Sequence, residues 1–225
     1  MEGININFQI NIKEDFQNLI FKWANDNVIN YPWRIRRNPY RVLISEVLLI
    51  RTKAKQVVPV YLNFIKIFPS LEDLLTADIS TIKEIIKSLG LLFRAEVIKE
   101  MTNQIKNDFN KKIPDNFIDL KKLKGIGDYS ANAVLCFGYK MKRPLLDSNF
   151  IRIYKRVFDV SPRTKTAKTD KYLWNFSEAL LPDNNFIKFN YAILDLGGKI
   201  CISRKPKCNM CPLTNICFYL SNIMN

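Results

Sequence analysis

The 225-residue sequence contains no histidine. That removes the side chain most often used as a general base near neutral pH, along with His-containing triads and His-ligated zinc. Any acid-base chemistry falls to carboxylates. Glycine is scarce, at 7 residues, and few stretches alternate apolar with polar residues, so a hairpin-rich β architecture finds little support. No apolar run approaches the roughly 20 residues that span a bilayer, and no membrane partner is expected. The start, MEGININFQINIKEDF, lacks a basic stretch leading into an apolar core, so no secretory signal is expected and the chain reads as intracellular. In that setting its five cysteines are reduced or metal-bound rather than cross-linked.

Positive charge is abundant. Lysine and arginine total 35 against 21 acidic residues, a formal net charge of +14 with a pI near 9.6. A polyanion such as nucleic acid suits that excess; anionic lipid or a merely basic surface are the other sources of it. The apolar periodicity is helical: in KEDFQNLIFKWAND, Phe16, Leu19, Ile20 and Trp23 recur at spacings of three and four. Similar stripes run through AKQVVPVYLNFIKIF, STIKEIIKSLG and FIRIYKRVF, with Ser70, Asp78 and Ser80 as capping residue types and Gly90 as a helix stop. The fold class is therefore all-α. INFQINI near the N-terminus is the one competing strand-like pattern.

Four constellations carry chemistry. LKKLKGIGDYSANAV reads as helix, tight turn, helix, with Gly125 and Gly127 in the turn and Asp128 or Tyr129 opening the second helix. Unpaired amides at that helix start favour an anion, and Lys121, Lys122 and Lys124 add charge, although an ordinary helix-helix turn has the same pattern. Asp147, in RPLLDSNFIRIYKRVF, stands at a helix start, where aspartate commonly serves only as a cap. Glu46 lies within YRVLISEVLLI, apolar on nearly every side; it is a functional buried carboxylate, a partly exposed helix edge, or a salt-bridge partner of Arg41 or Arg51. Cys201, Cys208, Cys211 and Cys217 have the spacing C-x6-C-x2-C-x5-C, a thiolate set that suits tetrahedral zinc or a 4Fe-4S cluster, with a disulfide pair the less favoured alternative. Cys136, in AVLCFGY, reads as a buried small hydrophobe.

From NYPWRIRRNPYRVLISEVLLIRT through the hairpin, the LLDSN aspartate and the four cysteines, the chain resembles the helix-hairpin-helix DNA glycosylases, which include endonuclease III and MutY-type adenine glycosylases. The resemblance implies two helical lobes: residues 30–141 as a six-helix lobe with the hairpin, and residues 1–29 with 142–225 as a lobe bearing a 4Fe-4S cluster on Cys201, Cys208, Cys211 and Cys217. It implies double-stranded DNA with a mismatched or damaged base as the partner, a monomer, and action in the cytoplasm or nucleoid.

Bifunctional members resembling endonuclease III carry a lysine where this chain has Tyr129, and a phenol cannot form their Schiff base. A monofunctional enzyme is thus implied. Glu46 falls where MutY-type enzymes carry a catalytic glutamate, but their LQQTQ pattern is here LIRTK, and their C-terminal 8-oxoguanine-reading domain is not expected. Glu46, Arg51 before Thr52, and Tyr129 together resemble archaeal-type thymine-DNA mismatch glycosylases, which remove thymine or uracil opposite guanine. By family position Asp147, Glu46 and Tyr129 are catalytic. Gly125, Gly127 and Lys124 bind the DNA backbone, Arg51 and Ile50 fill the gap left by the flipped base, and Leu91 or Leu92 wedges the opposite strand. The alternatives are a MutY-like adenine glycosylase without its accessory domain, or a non-catalytic DNA-binding iron-sulfur module.

Overall fold

The computed structural model describes residues 6–224, with side chains described for residues 12–222. Every regular element among the described residues is helical. The chain forms two compact units, Asn30–Met141, and Met1–Ile29 with Lys142–Asn225.

The first unit holds α2 (Pro32–Ile35), α3 (Pro39–Leu49), α4 (Ala54–Ile67), α5 (Leu71–Leu75), α6 (Ile79–Ile86), α7 (Phe93–Asp108), α8 (Phe117–Leu120) and α9 (Asp128–Ala133). Local chemistry sets several of these starts. Pro39 occupies the first turn of α3 while Asn38 Oδ1 accepts the Arg41 amide at 2.8 Å. Ser70 and Asp73 form a reciprocal capping box on α5, with Ser70 N–H donating to Asp73 Oδ2 at 2.9 Å. Asp78 precedes α6 without a side-chain bond to it, and Ser80 lies inside that helix rather than at its cap. Gly90 ends the helical run after α6 at φ +67°.

Val42, Leu43, Ile44, Val47 and Leu48 make α3 the buried spine of this unit. It packs against α4, α7, α9 and the wide π turn Val134–Gly138 that continues α9. Gly138 lets that turn meet α3, since a Cβ there would lie 2.8 Å from the Pro39 backbone. Cys136 is fully buried in the same turn.

The second unit holds α1 (Ile6–Asn27), α10 (Ser148–Phe158), α11 (Lys171–Leu180), α12 (Phe186–Lys199) and α13 (Phe218–Met224). The strand-like INFQINI segment is the first part of α1. Helical continuity with the apolar face behind it overrides the short alternation. Phe16, Ile20 and Ala24 form the buried stripe of α1, with Leu19 and Trp23 half-buried at its edge. Phe16 meets Phe158 and Phe189 edge-on, at 5.0 and 6.0 Å between ring centres, which ties α1 to α10 and α12.

Candidate functional site

In the Asn30–Met141 unit, the predicted hairpin runs from α8 through residues 121–127 into α9. Its two glycines do different jobs. Gly125 takes φ +78° and backs onto α7, where an added Cβ would stand 2.5 Å from Val97 Cγ1. Gly127 has an ordinary negative φ of −96° and nothing within 4 Å of where a Cβ would be. It leaves open space beside the first amides of α9, which no capping side chain occupies. Lys124 is exposed on the turn, its amide anchored on Gln104 Oε1 at 2.7 Å. Such a cradle suits an anion that approaches the backbone closely.

Glu46 is half-buried on α3, flanked in sequence by buried Ser45 and Val47. Tyr129 is half-buried at the second position of α9. Since α3 packs against α9, the helices bearing these two groups are neighbours in one unit. Two exposed turns lie in the same unit. One carries Ile50 and Arg51 between α3 and α4, and the other carries Gly90, Leu91 and Leu92 ahead of α7. Arg94, fully buried on α7, donates from Nη2 to the Ile50 carbonyl and to Thr52 Oγ1. The sequence reading missed Arg94; a lone arginine inside an otherwise ordinary helix start gives no local signal of its partners.

In the other unit, Asp147 is the N-cap of α10. Its Oδ1 accepts the amides of Asn149 and Phe150 at 2.8 and 3.0 Å, and its Oδ2 accepts Asn149 Nδ2 at 2.8 Å. Burial raises the pKa of this carboxyl above the usual aspartate value, outweighing the pull of those donors and of the Arg152 charge. A cap whose oxygens are both gripped in a desolvating setting is also a charged group held in one orientation.

The grip extends beyond the cap. Arg152 Nη2 donates to Asn149 Oδ1 at 2.7 Å and to the Gly197 carbonyl at 2.7 Å, while its Nε donates to the Cys201 carbonyl at 2.6 Å. One turn on, Arg156 Nη1 lies 3.4 Å from Cys201 Sγ and donates to the Ile202 carbonyl at 2.7 Å. Its guanidinium also stands over the Tyr219 ring, 5.1 Å from the centroid. Asn149, Arg152 and Arg156 were not singled out from sequence, although the two arginines are four apart and share a helix face.

Cys201, Cys208, Cys211 and Cys217 are half-buried free thiols. Burial pushes Cys211 up to about 11, with the other three cysteines adding to the shift, and burial also raises Cys217. These four sulfurs therefore share one electrostatic neighbourhood. Among the described residues, however, no three or more metal-ligating side chains converge on a single ion. By donor type, four thiols suit either one tetrahedral zinc or a multi-atom thiolate-bound centre. No helix among the described residues is long and apolar enough to cross a membrane.

Comparison with known proteins gives these features a context. The chain is 38% identical over 209 residues to a thymine/uracil-DNA glycosylase of Pyrobaculum aerophilum, covering 91% of both chains. It is 37% identical to an adenine DNA glycosylase of Buchnera aphidicola subsp. Baizongia pistaciae, over 85% of this chain but 54% of that relative's length. The solved structure of a thermostable thymine-DNA glycosylase superposes with a TM-score of 0.89 at 33% identity, covering 95% of this chain and 99% of the other. Residues 44–179 match the family described as HhH-GPD superfamily base excision DNA repair proteins, a span that begins on the buried face of α3 and takes in the hairpin and the Asp147 cap. The all-α fold, the hairpin and these matches agree, and the chain belongs to the HhH-GPD superfamily.

Proposed function

We propose that the chain is a monofunctional DNA glycosylase that flips thymine or uracil out of a mispair with guanine in double-stranded DNA and hydrolyses its N-glycosidic bond. The activity named for the Pyrobaculum aerophilum relative supports the substrate class. Among the site features, the doubly held, desolvated carboxylate of Asp147 carries the chemistry.

A base inside the stack is unreachable, and a mispair costs less to open than a matched pair. Arg51 and Ile50 fill the vacated space and Leu91 wedges the opposite strand, while Gly125, Gly127 and Lys124 hold a phosphate at the hairpin. As the bond from C1′ to the base nitrogen breaks, its electron pair leaves with the base and the sugar takes oxocarbenium character. The ionised Asp147 carboxylate stabilises that positive charge and orients water toward C1′. Water adds there, and its proton passes to solvent or to the carboxylate. Charge on the departing base is relieved by hydrogen bonds from Tyr129 and from Glu46, protonated or bridged by water. Because Tyr129 supplies no amine, no Schiff base forms and the strand stays intact.

Cys201, Cys208, Cys211 and Cys217 are proposed to hold a 4Fe-4S cluster, consistent with their shared neighbourhood and the Arg156 contact to Cys201. A cluster held by these cysteines would brace the basic Ser203–Lys207 segment, whose charge suits DNA phosphates. The enzyme works inside the cell, where its DNA resides.

The second reading, adenine excision, rests on Glu46 and the 37% identical adenine glycosylase. Single-turnover release from end-labelled duplexes carrying G·T, G·U, A·8-oxoguanine or A·G, each with and without alkali, separates the readings. Alkali-dependent cleavage of the thymine and uracil strands is expected. Cleavage at adenine alone moves the chain to the second reading, and binding without any cleavage makes it a non-catalytic DNA-binding module.

A further inference from the structure

Of the non-glycine residues with left-handed backbone in the Asn30–Met141 unit, which include Asn110, Lys111 and Lys140, two are tied to one buried arginine. Arg51 has φ 53° in the link between α3 and α4, and Leu91 has φ 46° directly after Gly90 in the link to α7. Such conformations persist only where the surroundings impose them, and they gather at working surfaces. Both turns also present their side chains outward: Arg51 is exposed, and Leu91, Leu92 and Phe93 are 38%, 44% and 48% exposed.

One residue closes both turns. Arg94 is 0% exposed, and its Nη2 donates to the Ile50 carbonyl and, at 2.5 Å, to Thr52 Oγ1, bracketing Arg51 from either side. Its own amide donates to the Leu91 carbonyl at 3.1 Å. The arrangement is costly as mere packing. Arg94 Nε and Nη1 are buried with no hydrogen-bond partner among the described residues, and an apolar side chain of similar volume would fill the space without stranding donors. What an apolar side chain cannot do is hold the carbonyl and the hydroxyl on both sides of Arg51.

We propose that Arg94 is a positioning residue that locks the Arg51 turn to the Leu91–Phe93 rim, so that both enter a duplex as one preset wedge. This rests on the glycosylase reading given above. Released from the side-chain clamp, the Arg51 turn relaxes toward commoner backbone conformations, loses its tie to the helix that carries the Leu91–Phe93 rim, and must be ordered anew at every encounter. The defect then falls on opening the base pair and leaves bond cleavage alone.

The test is single-turnover uracil release by the wild type, Arg94→Lys and Thr52→Val. Two duplexes are compared: one with uracil opposite guanine, and one with uracil opposite an abasic site, where no pair needs opening. Thr52→Val removes one partner of the clamp without disturbing a buried charge, so it reports even where Arg94→Lys folds poorly. Relative to the wild type on the same duplex, Arg94→Lys is expected to slow release from G·U about tenfold and Thr52→Val about threefold, with less than about twofold loss on the unpaired duplex. A 2-aminopurine placed beside the uracil brightens correspondingly more slowly. Equal losses on both duplexes, or none on either, overturn the proposal while leaving the glycosylase reading standing. A wild type that releases uracil from neither duplex overturns the glycosylase reading, and this proposal with it.

Discussion

Asn149 donates from its side-chain Nδ2 to Asp147 Oδ2 at 2.8 Å while its backbone amide donates to Asp147 Oδ1 at 2.8 Å. A single residue thus grips both oxygens of the carboxylate proposed to act on the sugar. Removing the side-chain half of that grip leaves Oδ2 with less to stabilise its charge, in a place where burial already raises the pKa. The wild-type rate should therefore fall on the acid side above the usual aspartate range, because protonating Asp147 removes its charge. In Asn149→Ala that acid limb should move further up, and the plateau rate should drop about tenfold. A pH profile of single-turnover base release checks both; an unshifted limb would detach Asn149 from the charge of Asp147.

Gly197 offers a steric route to the same carboxylate. A Cβ on Gly197 would stand 2.5 Å from Asn149 Cβ and 2.9 Å from its Cγ, and neither is the free end of a flexible chain. Gly197→Ala should force Asn149 away from Asp147, or α12 away from α10. The expected cost is about 1 to 3 kcal/mol of stability, together with slower base release. Denaturant midpoints measure the first part; Gly198→Ala, with nothing within 4 Å of its Cβ, is the matched control.

Much of this was legible because it is local. The all-α class follows from apolar periodicity, the Asp147 cap from a residue type before a stripe, and the hairpin from two glycines between helices. What was not legible depends on partners distant in the chain. Arg94 meets Ile50 and Thr52, 44 and 42 residues away, and Arg152 meets Cys201, 49 away. Periodicity says that an arginine faces inward and gives no clue to what it meets. The reading of Ser80 as a possible cap failed for a related reason, since Asp78 and Ser80 are equally suitable by type and only the backbone turn chooses between them. The two hairpin glycines looked equivalent in sequence and differ in structure, one fixed by conformation and the other by open space.

That difference separates folding from DNA binding. Gly125→Ala meets both the positive φ of +78° and the Val97 methyl, so it should lose about 1 to 3 kcal/mol of stability. Gly127→Ala meets neither obstacle and should stay within about 0.5 kcal/mol of wild type. If a phosphate approaches the α9 amides, the added methyl of Gly127→Ala nonetheless obstructs it. Its Kd for duplex DNA should rise several-fold whatever the base sequence, because phosphate contacts carry no sequence information. Fluorescence anisotropy on matched and mismatched duplexes, beside thermal melts, reads the two effects independently.

The four cysteines make a compositional prediction. Purified anaerobically, the chain should contain about four irons and as many acid-labile sulfides. Cys211→Ser should lose most of both. Cys211 sits at about 11 when no centre is bound, so near neutral pH its thiol is protonated, and binding a metal centre must expel that proton. Reconstitution with iron and sulfide should accordingly slow as pH falls. Zinc in place of iron, found by elemental analysis, would instead make the four thiolates the ligands of a single tetrahedral ion.

Tyr129 bears on the order of bond-breaking. It occupies the second position of α9, where the hairpin turn has just delivered the chain and where α3 packs alongside. With a phenol there, base release should leave a strand that breaks only on treatment with alkali, and borohydride should trap no protein-DNA adduct. Tyr129→Lys places a primary amine on the same helix turn, and a neutral amine is able to attack C1′ of the sugar. Half-burial at that position favours the neutral form by desolvation, which lowers a lysine's pKa. The variant should thus form an adduct that borohydride fixes and that migrates as a covalent complex on denaturing gels, with trapping increasing as pH rises. Trapping by the wild-type chain would refute a monofunctional mechanism. Trapping only by Tyr129→Lys would assign the difference between base removal and strand cleavage to this one side chain.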